Sequence, residues 1–178
     1  MSLNRTTESV VRRGTVSWLD HPPDGPARVE AESYAFHALP VTVPEGDPIP
    51  HEATPGELLA ISHATFLAGF LAEELSLSGT PAKEIVVEAA CTFAGETRTR
   101  ELAAVDLKVR GRVPGIDADA FRAAVTMARR SSRRSMAIPE DFPGSLEVEL
   151  ASYTGNNSGN KLSESDPNSA QPSVPEQT

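Results

Sequence analysis

Cys91 is the only cysteine in a chain of 178 residues. A single thiol excludes an intramolecular disulfide and a cysteine-rich zinc site within the chain. It also excludes an internal pair of redox cysteines, in which one thiolate attacks an oxidant and the other resolves the sulfenic acid. The alternating run Ile85 to Phe93 places Cys91 on the inward face of a predicted strand. A cysteine among apolar neighbours is usually unreactive, so we expect Cys91 to contribute to packing.

His63 has hydroxyl side chains beside it, at Ser62 and Thr65. A histidine can activate a hydroxyl for acyl transfer when the two groups are within hydrogen-bond reach. Ser62 and His63 are helical neighbours that point in different directions, so the sequence favours a His63 held in the helix packing and leaves a hydrolase as the alternative. The other three histidines lie in separate segments without metal-ligand spacing: His21, His37 and His51. We predict no metal and no other cofactor.

A basic run is the most unusual local feature of the chain, and it contains Arg129, Arg130, Arg133 and Arg134. Cations at a helix C-terminus are stabilised by the helix dipole, so a solvated helix cap is the simplest interpretation. Alternatively, a second short helix beginning at Ser132 would present N–H groups that, together with the arginines, bind a carboxylate or a phosphate.

Composition limits the class of protein and its partners. The net charge of −9 disfavours nucleic acid and anionic membrane surfaces. The longest apolar stretch is interrupted by Ser62, His63 and Gly69, and no apolar signal core precedes Arg13, so we predict a cytoplasmic protein without a transmembrane span. Residues 1–153 are predicted to form one domain, and residues 154–178, which are poor in branched aliphatics, a disordered low-complexity tail.

Hydrophobic periodicity within residues 1–153 predicts the element order βββ-α-ββ-α-(α)-β, an α+β domain. The predicted strands are Val10–Trp18, Val29–Phe36, Leu39–Val43, Ile85–Phe93, Ala104–Val113 and Leu146–Leu150. One helix begins after Thr54 and runs to about Leu77, and a second begins after Asp117 and runs to about Arg130. The first helix is apolar almost all round, so we expect it to be buried on nearly all sides.

Two runs carry a resemblance to a known family. The run TPGELLAISHA from Thr54 to Ala64, and the run VPGID from Val113 to Asp117, are similar to the start of the central helix and to the turn before the second helix in OsmC/Ohr proteins (osmotically induced and organic hydroperoxide resistance proteins). The element order agrees over about residues 9 to 153. The resemblance implies a long central helix packed against antiparallel sheets, an intertwined homodimer with an interfacial active site, and peroxiredoxin-like, thiol-dependent reduction of organic peroxides.

The positions that carry the family's chemistry differ in this chain. The peroxide-attacking cysteine matches Phe66, or Thr65 after a one-residue shift; the second cysteine matches Ser132; and the assisting glutamate matches Gly56. Hydroxyl groups are not ionised near neutral pH and have no step equivalent to sulfenic acid formation, and phenylalanine has no nucleophile. The family's assisting arginine has three candidates: Arg12, Arg13 and Arg28.

We therefore predict an OsmC/Ohr-like protein of the family linked to oxidative stress and organic peroxide defence that has lost thiol peroxidase chemistry. It would bind a small apolar or anionic ligand, such as a fatty or aromatic acid, at the remnant site. The predicted pocket contains His63, Thr65, Phe66 and Ser132, with Phe66 and Gly56 at its floor and the four arginines at its mouth. Two alternatives stay open: a hydroperoxide reductase that uses Cys91 or an external thiol, and a His63-dependent hydrolase.

Overall fold

The computed structural model describes residues 10–18, 27–42, 49–96 and 99–151. The predicted tail at 154–178 lies outside these residues. In chain order the elements are β1 (Gly14–Trp18), β2 (Ala27–Ala31), β3 (Leu39–Val41), α1 (Pro55–Leu77), β4 (Glu84–Ala94), β5 (Glu101–Arg112), α2 (Ala118–Ser135) and β6 (Leu146–Leu150). The predicted α+β class and the order of the strands and the two long helices are confirmed.

The strands form two separate three-stranded sheets. Antiparallel pairing joins β1 to β2 and β2 to β3 in the first sheet, and β4 to β5 in the second. The last strand, β6, pairs with β5 in parallel, so the second sheet is mixed and not purely antiparallel as predicted. Both long helices pack with the second sheet, and α1 also packs against α2.

Local signals explain where α1 begins. The Thr54 side chain accepts a hydrogen bond from the Glu57 N–H at 3.1 Å, and the Glu57 carboxylate accepts one from the Thr54 N–H at 2.7 Å. This reciprocal capping box satisfies backbone donors that the first turn leaves without helical partners, and Pro55 at the first helical position needs no donor. The predicted start of this helix is therefore confirmed.

The core lies between α1, β5 and α2. It contains three leucines of α1 (Leu67, Leu71 and Leu75), three residues of β5 (Val105, Leu107 and Val109) and three of α2 (Phe121, Val125 and Ala128). The alternation predicted for β5 is confirmed, because Val105, Leu107 and Val109 are buried. The odd-numbered residues of β4 are half-buried and pack against the same core.

Within the single chain, only one stripe of α1 is buried: Gly56, His63, Leu67, Leu71 and Leu75. The prediction of burial on nearly all sides is therefore wrong for the isolated chain, in which Ile61, Phe66 and Leu77 are exposed. By length and composition, α1 is the one helix among the described residues that could cross a membrane, a criterion that core helices of soluble proteins also meet.

Several predicted boundaries are wrong: β1 begins at Gly14 and not at Val10, and β5 begins at Glu101 and not at Ala104. Strand β2 ends at Ala31 and not at Phe36, because the chain turns through Tyr34 and Ala38, which both have positive φ. The second predicted helix does not end at Arg130: α2 continues without a break to Ser135, since no glycine or proline interrupts the run. Ser132 therefore lies in the last turns of α2, and no helix begins there.

Candidate functional site

A cavity of about 600 Å³ lies between β3, the segment before α1, the first half of α1 and β4. Its walls are mostly apolar and include Leu39, Ala60, Ile61, Ala64, Val87 and Ala89. The alanines of α1 leave this space, because a larger side chain at these positions would fill it. A volume of several hundred Å³ with apolar walls is typical of small-molecule sites.

The polar residues that line this cavity are His51, Glu52 and Glu57. The Glu52 carboxylate accepts a hydrogen bond of 2.5 Å from the Thr42 hydroxyl. The Glu57 carboxylate accepts from the Thr54 N–H in the capping box of α1, so each carboxylate is held by one hydrogen bond. No arginine or lysine lines the cavity among the residues that the structure describes, and the ionisable carboxyl groups give its edge a negative character.

A second, enclosed cavity brings together two of the predicted site residues. His63 of α1 and Ser132 of α2 both line a space of about 10 Å³, together with Arg129 and Arg133. His63 is 5% exposed and Ser132 is 6% exposed. They lie here because each continues a buried helical stripe: His63 precedes Leu67 by four residues, and Ser132 follows Ala128 by four.

The other two predicted pocket residues lie elsewhere. Thr65 and Phe66 line a shallow hollow on the exposed part of α1, with Gly69, Phe70 and Glu73. The rings of Phe66 and Phe70 stack with centroids 6.4 Å apart. Gly56 is buried in the first turn of α1. The predicted single pocket, with Phe66 and Gly56 as its floor and the arginines at its mouth, is therefore not formed within the chain.

Three of the four arginines in the basic run are paired with backbone carbonyl groups or with a carboxylate. Arg129 donates to the Gly144 carbonyl at 3.1 Å. Arg133 donates to the carbonyl groups of Pro139, Glu140 and Phe142. Arg130 lies 3.5 Å from the Glu140 carboxylate, and Arg134 is exposed in the last turn of α2. These contacts attach the segment after α2 to the end of that helix.

The electrostatic environment of the small cavity is unusual. Burial lowers the pKa of His63, so the imidazole is neutral at pH 7. Burial, and then the positive charge of Arg133, lower the pKa of the Arg129 guanidinium. His63 Nε2 and Arg129 Nε are buried and have no hydrogen-bond partner among the residues that the structure describes. Buried polar groups are normally paired, so these two atoms mark the site as incomplete.

Cys91 lies on the half-buried face of β4 and packs against the core. It is on the same face of the strand as Val87 and Ala89, which line the large cavity. The three candidate arginines of the N-terminal segment lie outside that cavity. Arg13 pairs with Glu32 at 3.0 Å, and Arg28 donates to the Ala38 carbonyl at 3.1 Å. Arg12 contacts the Val11 carbonyl.

Across the described parts of the chain, no group of three or more histidine, cysteine or acidic side chains could hold a metal ion. None of the pockets predicted from the sequence corresponds to the 600 Å³ cavity. Small residues at Ala60 and Ala64, one turn apart on α1, are the signal that could have indicated it, because they open a groove on a helix.

Solved structures share this fold across most of the chain. They include an OsmC-like protein of unknown function from Vibrio cholerae (TM-score 0.62, 9% identity, 79% of this chain and 99% of that one). An organic hydroperoxide resistance protein from Elizabethkingia anophelis has a TM-score of 0.62 and 15% identity, over 82% of this chain and 99% of its own. An OsmC-like protein from Mycoplasma pneumoniae has a TM-score of 0.64 and 9% identity, over 82% of this chain and 100% of its own.

No protein-family model matches the sequence, and no curated protein matches it. At these low identities the similarity to solved structures establishes the fold and not the activity. The architecture defines an α+β protein with one long central helix and two sheets. This chain has the OsmC/Ohr fold.

Proposed function

We propose that this protein binds a small, mainly apolar molecule in its 600 Å³ cavity and does not carry out peroxide reduction at the positions that the OsmC/Ohr fold ordinarily uses. The observation that carries the proposal is the placement of Phe66 and Ser132. Neither has sulfur, and they line different cavities. A two-thiol reaction needs two sulfur atoms that can reach each other.

The charge of the cavity edge limits which class of ligand can bind. Glu52 and Glu57 are acidic, and the arginines of α2 line a different cavity. A ligand carboxylate would be repelled here, whereas an amine or another hydrogen-bond donor would be attracted. The structure thus favours an apolar ligand with a donating or cationic end over the fatty or aromatic acid that the sequence suggested.

We also propose that the protein is a cytoplasmic homodimer that binds neither nucleic acid nor membranes. Phe66 and Leu77 of α1 are 40% and 79% exposed in the single chain, and Phe66 and Phe70 form an aromatic pair on this helix. A soluble protein normally covers such a surface, and a second copy of the chain is the simplest partner. The sheet of β1, β2 and β3 also has few contacts with the rest of its own chain.

A cavity-filling substitution tests the ligand site. We expect the neutral fluorescent dye N-phenylnaphthylamine to bind saturably to the wild-type protein. Ala64→Phe, which places a ring in the cavity, should weaken binding at least about tenfold. Ala118→Phe, an exposed position at the start of α2, is the matched control and should bind normally. Decylamine should displace the dye at lower concentration than decanoate, and equal effects of both alanine variants would contradict the proposal.

A second candidate function is a hydroperoxide reductase that uses Cys91, and the position of this thiol beside the cavity-lining residues of β4 favours it. Such an enzyme would need an external thiol to resolve the sulfenic acid. Consumption of an organic hydroperoxide with a dithiol reductant distinguishes the two functions. Turnover by the wild type that is lost in Cys91→Ser would establish the reductase. No turnover by either protein supports the binding function.

The hydrolase alternative receives less support. The cavity at His63 has a volume of about 10 Å³, which excludes an ester substrate. We expect no hydrolysis of an activated ester above that of His63→Gln.

A further inference from the structure

The small cavity between α1, β5, α2 and the segment after α2 has about the volume that one water-sized particle requires. In the part of the chain that the structure describes, two buried side-chain nitrogen or oxygen atoms have no protein partner, His63 Nε2 and Arg129 Nε. Both belong to residues that line this cavity. The residues that carry the two unpaired atoms therefore share the wall of a cavity with space for a single particle.

Several other hydrogen-bonding groups of the two arginines already have partners. Arg133 donates to three backbone carbonyl groups after α2, and the second guanidinium nitrogen of Arg129 donates to the Gly144 carbonyl. The Nε–H of Arg129 is left over. Apart from Ser132, the rest of the cavity wall is apolar, and it is formed by Val105, Leu107, Ile138 and Phe142.

The positive charge of the cavity wall determines which particle of this size binds. Two guanidinium groups line the cavity, and no carboxylate does so among the described residues. The nearest acidic partner of the basic run, Glu140, lies 3.5 Å from Arg130. Burial and mutual repulsion both disfavour the charged form of Arg129. A negative particle would offset both effects, whereas a water molecule would offset part of the burial by accepting a hydrogen bond and would not offset the repulsion between the two guanidinium groups.

We propose that this cavity binds one monovalent anion of halide size, held by the Nε–H of Arg129 and, with its proton on Nε2, by the imidazole of His63. A carboxylate or a phosphate has several heavy atoms and does not fit the volume. The site is separate from the apolar cavity, so it does not depend on the proposed ligand. Of the four arginines that the sequence predicted to bind an anion, this proposal assigns the hydrogen bond to Arg129 alone. The positive charge of Arg133 also attracts the anion.

Chloride-dependent stability provides the first test. The full chain is unfolded thermally in sodium chloride and, at equal ionic strength, in sodium gluconate. A tenfold excess of chloride over its dissociation constant should raise Tm by about 3–5 °C relative to gluconate. Arg129→Lys keeps the charge but loses the Nε–H, and it should abolish this difference. Arg130→Lys is the matched control and should retain it, because Arg130 lies outside the cavity wall.

Crystals of the wild-type protein grown in sodium bromide provide the second test, which does not depend on any variant. We expect an anomalous peak within about 3.5 Å of both His63 Nε2 and Arg129 Nε. A peak without anomalous signal at this place would identify a water molecule and overturn the proposal. Equal Tm values in chloride and gluconate would overturn it as well.

Discussion

The ring of Phe121 on α2 lies against Gly111 of β5, so closely that an added Cβ at Gly111 would be 2.3 Å from Cζ. Phe121 is fully buried and cannot move aside at low cost. We expect Gly111→Ala to lower the free energy of unfolding by about 1–3 kcal/mol, measured by chemical denaturation. At Gly14 of β1 the nearest atom would be 3.5 Å away, so Gly14→Ala should change stability by less than about 0.5 kcal/mol.

His63 should make stability depend on pH. Its folded-state pKa is below the ordinary value of 6.5 because of burial, so the unfolded chain binds more protons. The stability that the neutral His63 contributes to the fold is fully present above pH 6.5. It is lost as the pH falls from 6.5 towards the folded-state pKa. Arg129 and Arg133 from α2 line the same cavity and also oppose a charged imidazole.

The measurement is Tm against pH in a buffer without halide. We expect His63→Gln to flatten the curve below pH 6.5. His51→Gln, at an exposed position before α1, should keep the wild-type slope. An unchanged slope in His63→Gln would mean that another group carries the dependence.

Arg133 should stabilise the end of α2 through its three carbonyl partners. Replacing it with glutamine removes hydrogen bonds from a charged donor, which contribute more than neutral ones. We expect Arg133→Gln to lose about 1–2 kcal/mol and to speed amide hydrogen exchange in residues 138–142. Arg134→Gln changes the same charge at an exposed position and should have little effect.

Asp106 should link β6 to β5 through Ser145. Its carboxylate accepts hydrogen bonds from the Ser145 hydroxyl at 2.7 Å and from the Ser145 N–H at 2.8 Å. These bonds lower the pKa of Asp106, so the stability that they provide is present above the ordinary value of 3.8 and is lost as the pH falls below it. Ser145→Ala should make the acid limb of the Tm curve shallower. Glu88→Gln is the control. It removes only an exposed ion pair and should leave the acid limb of the Tm curve unchanged.

The exposed apolar residues of α1 predict self-association. Phe66→Glu should shift the protein to a monomer in sedimentation equilibrium, because a buried carboxylate at a dimer contact is costly. Val86→Glu is the control, since Val86 lies on the outer face of β4 opposite Arg110. A monomeric wild type, or a dimeric Phe66→Glu variant, would contradict the proposed dimer.

Local chemistry made much of the fold predictable. Thr54 and Glu57 form a capping box within four residues, and Asp117 caps α2 by accepting from the Ala120 N–H at 2.8 Å. The alternation of β5 requires only that one face be buried. These signals operate within a few residues, so they can be read without knowledge of the tertiary structure.

The features of the fold that were not predictable depend on contacts between distant residues, or on residues whose type does not indicate their conformation. Tyr34 adopts a positive φ without being glycine or asparagine, so its turn has no sequence signal. His63 and Ser132 share a cavity because α1 packs against α2, and only the resemblance to a known family predicted that these two residues lie together. The same resemblance predicted Phe66 for this pocket, whereas Phe66 lies outside the buried stripe of α1 that contains His63.

The parallel pairing of β6 with β5 imposes an order on folding. The β4–β5 pair is antiparallel and connected directly, so its contacts close a short loop. Pairing of β6 with β5 closes a much longer loop, which contains all of α2, because Leu107 pairs with Leu146. Long loops close slowly, so attachment of this strand is expected to be the late, rate-limiting event, and a circular permutant that joins β6 earlier in the chain would fold faster.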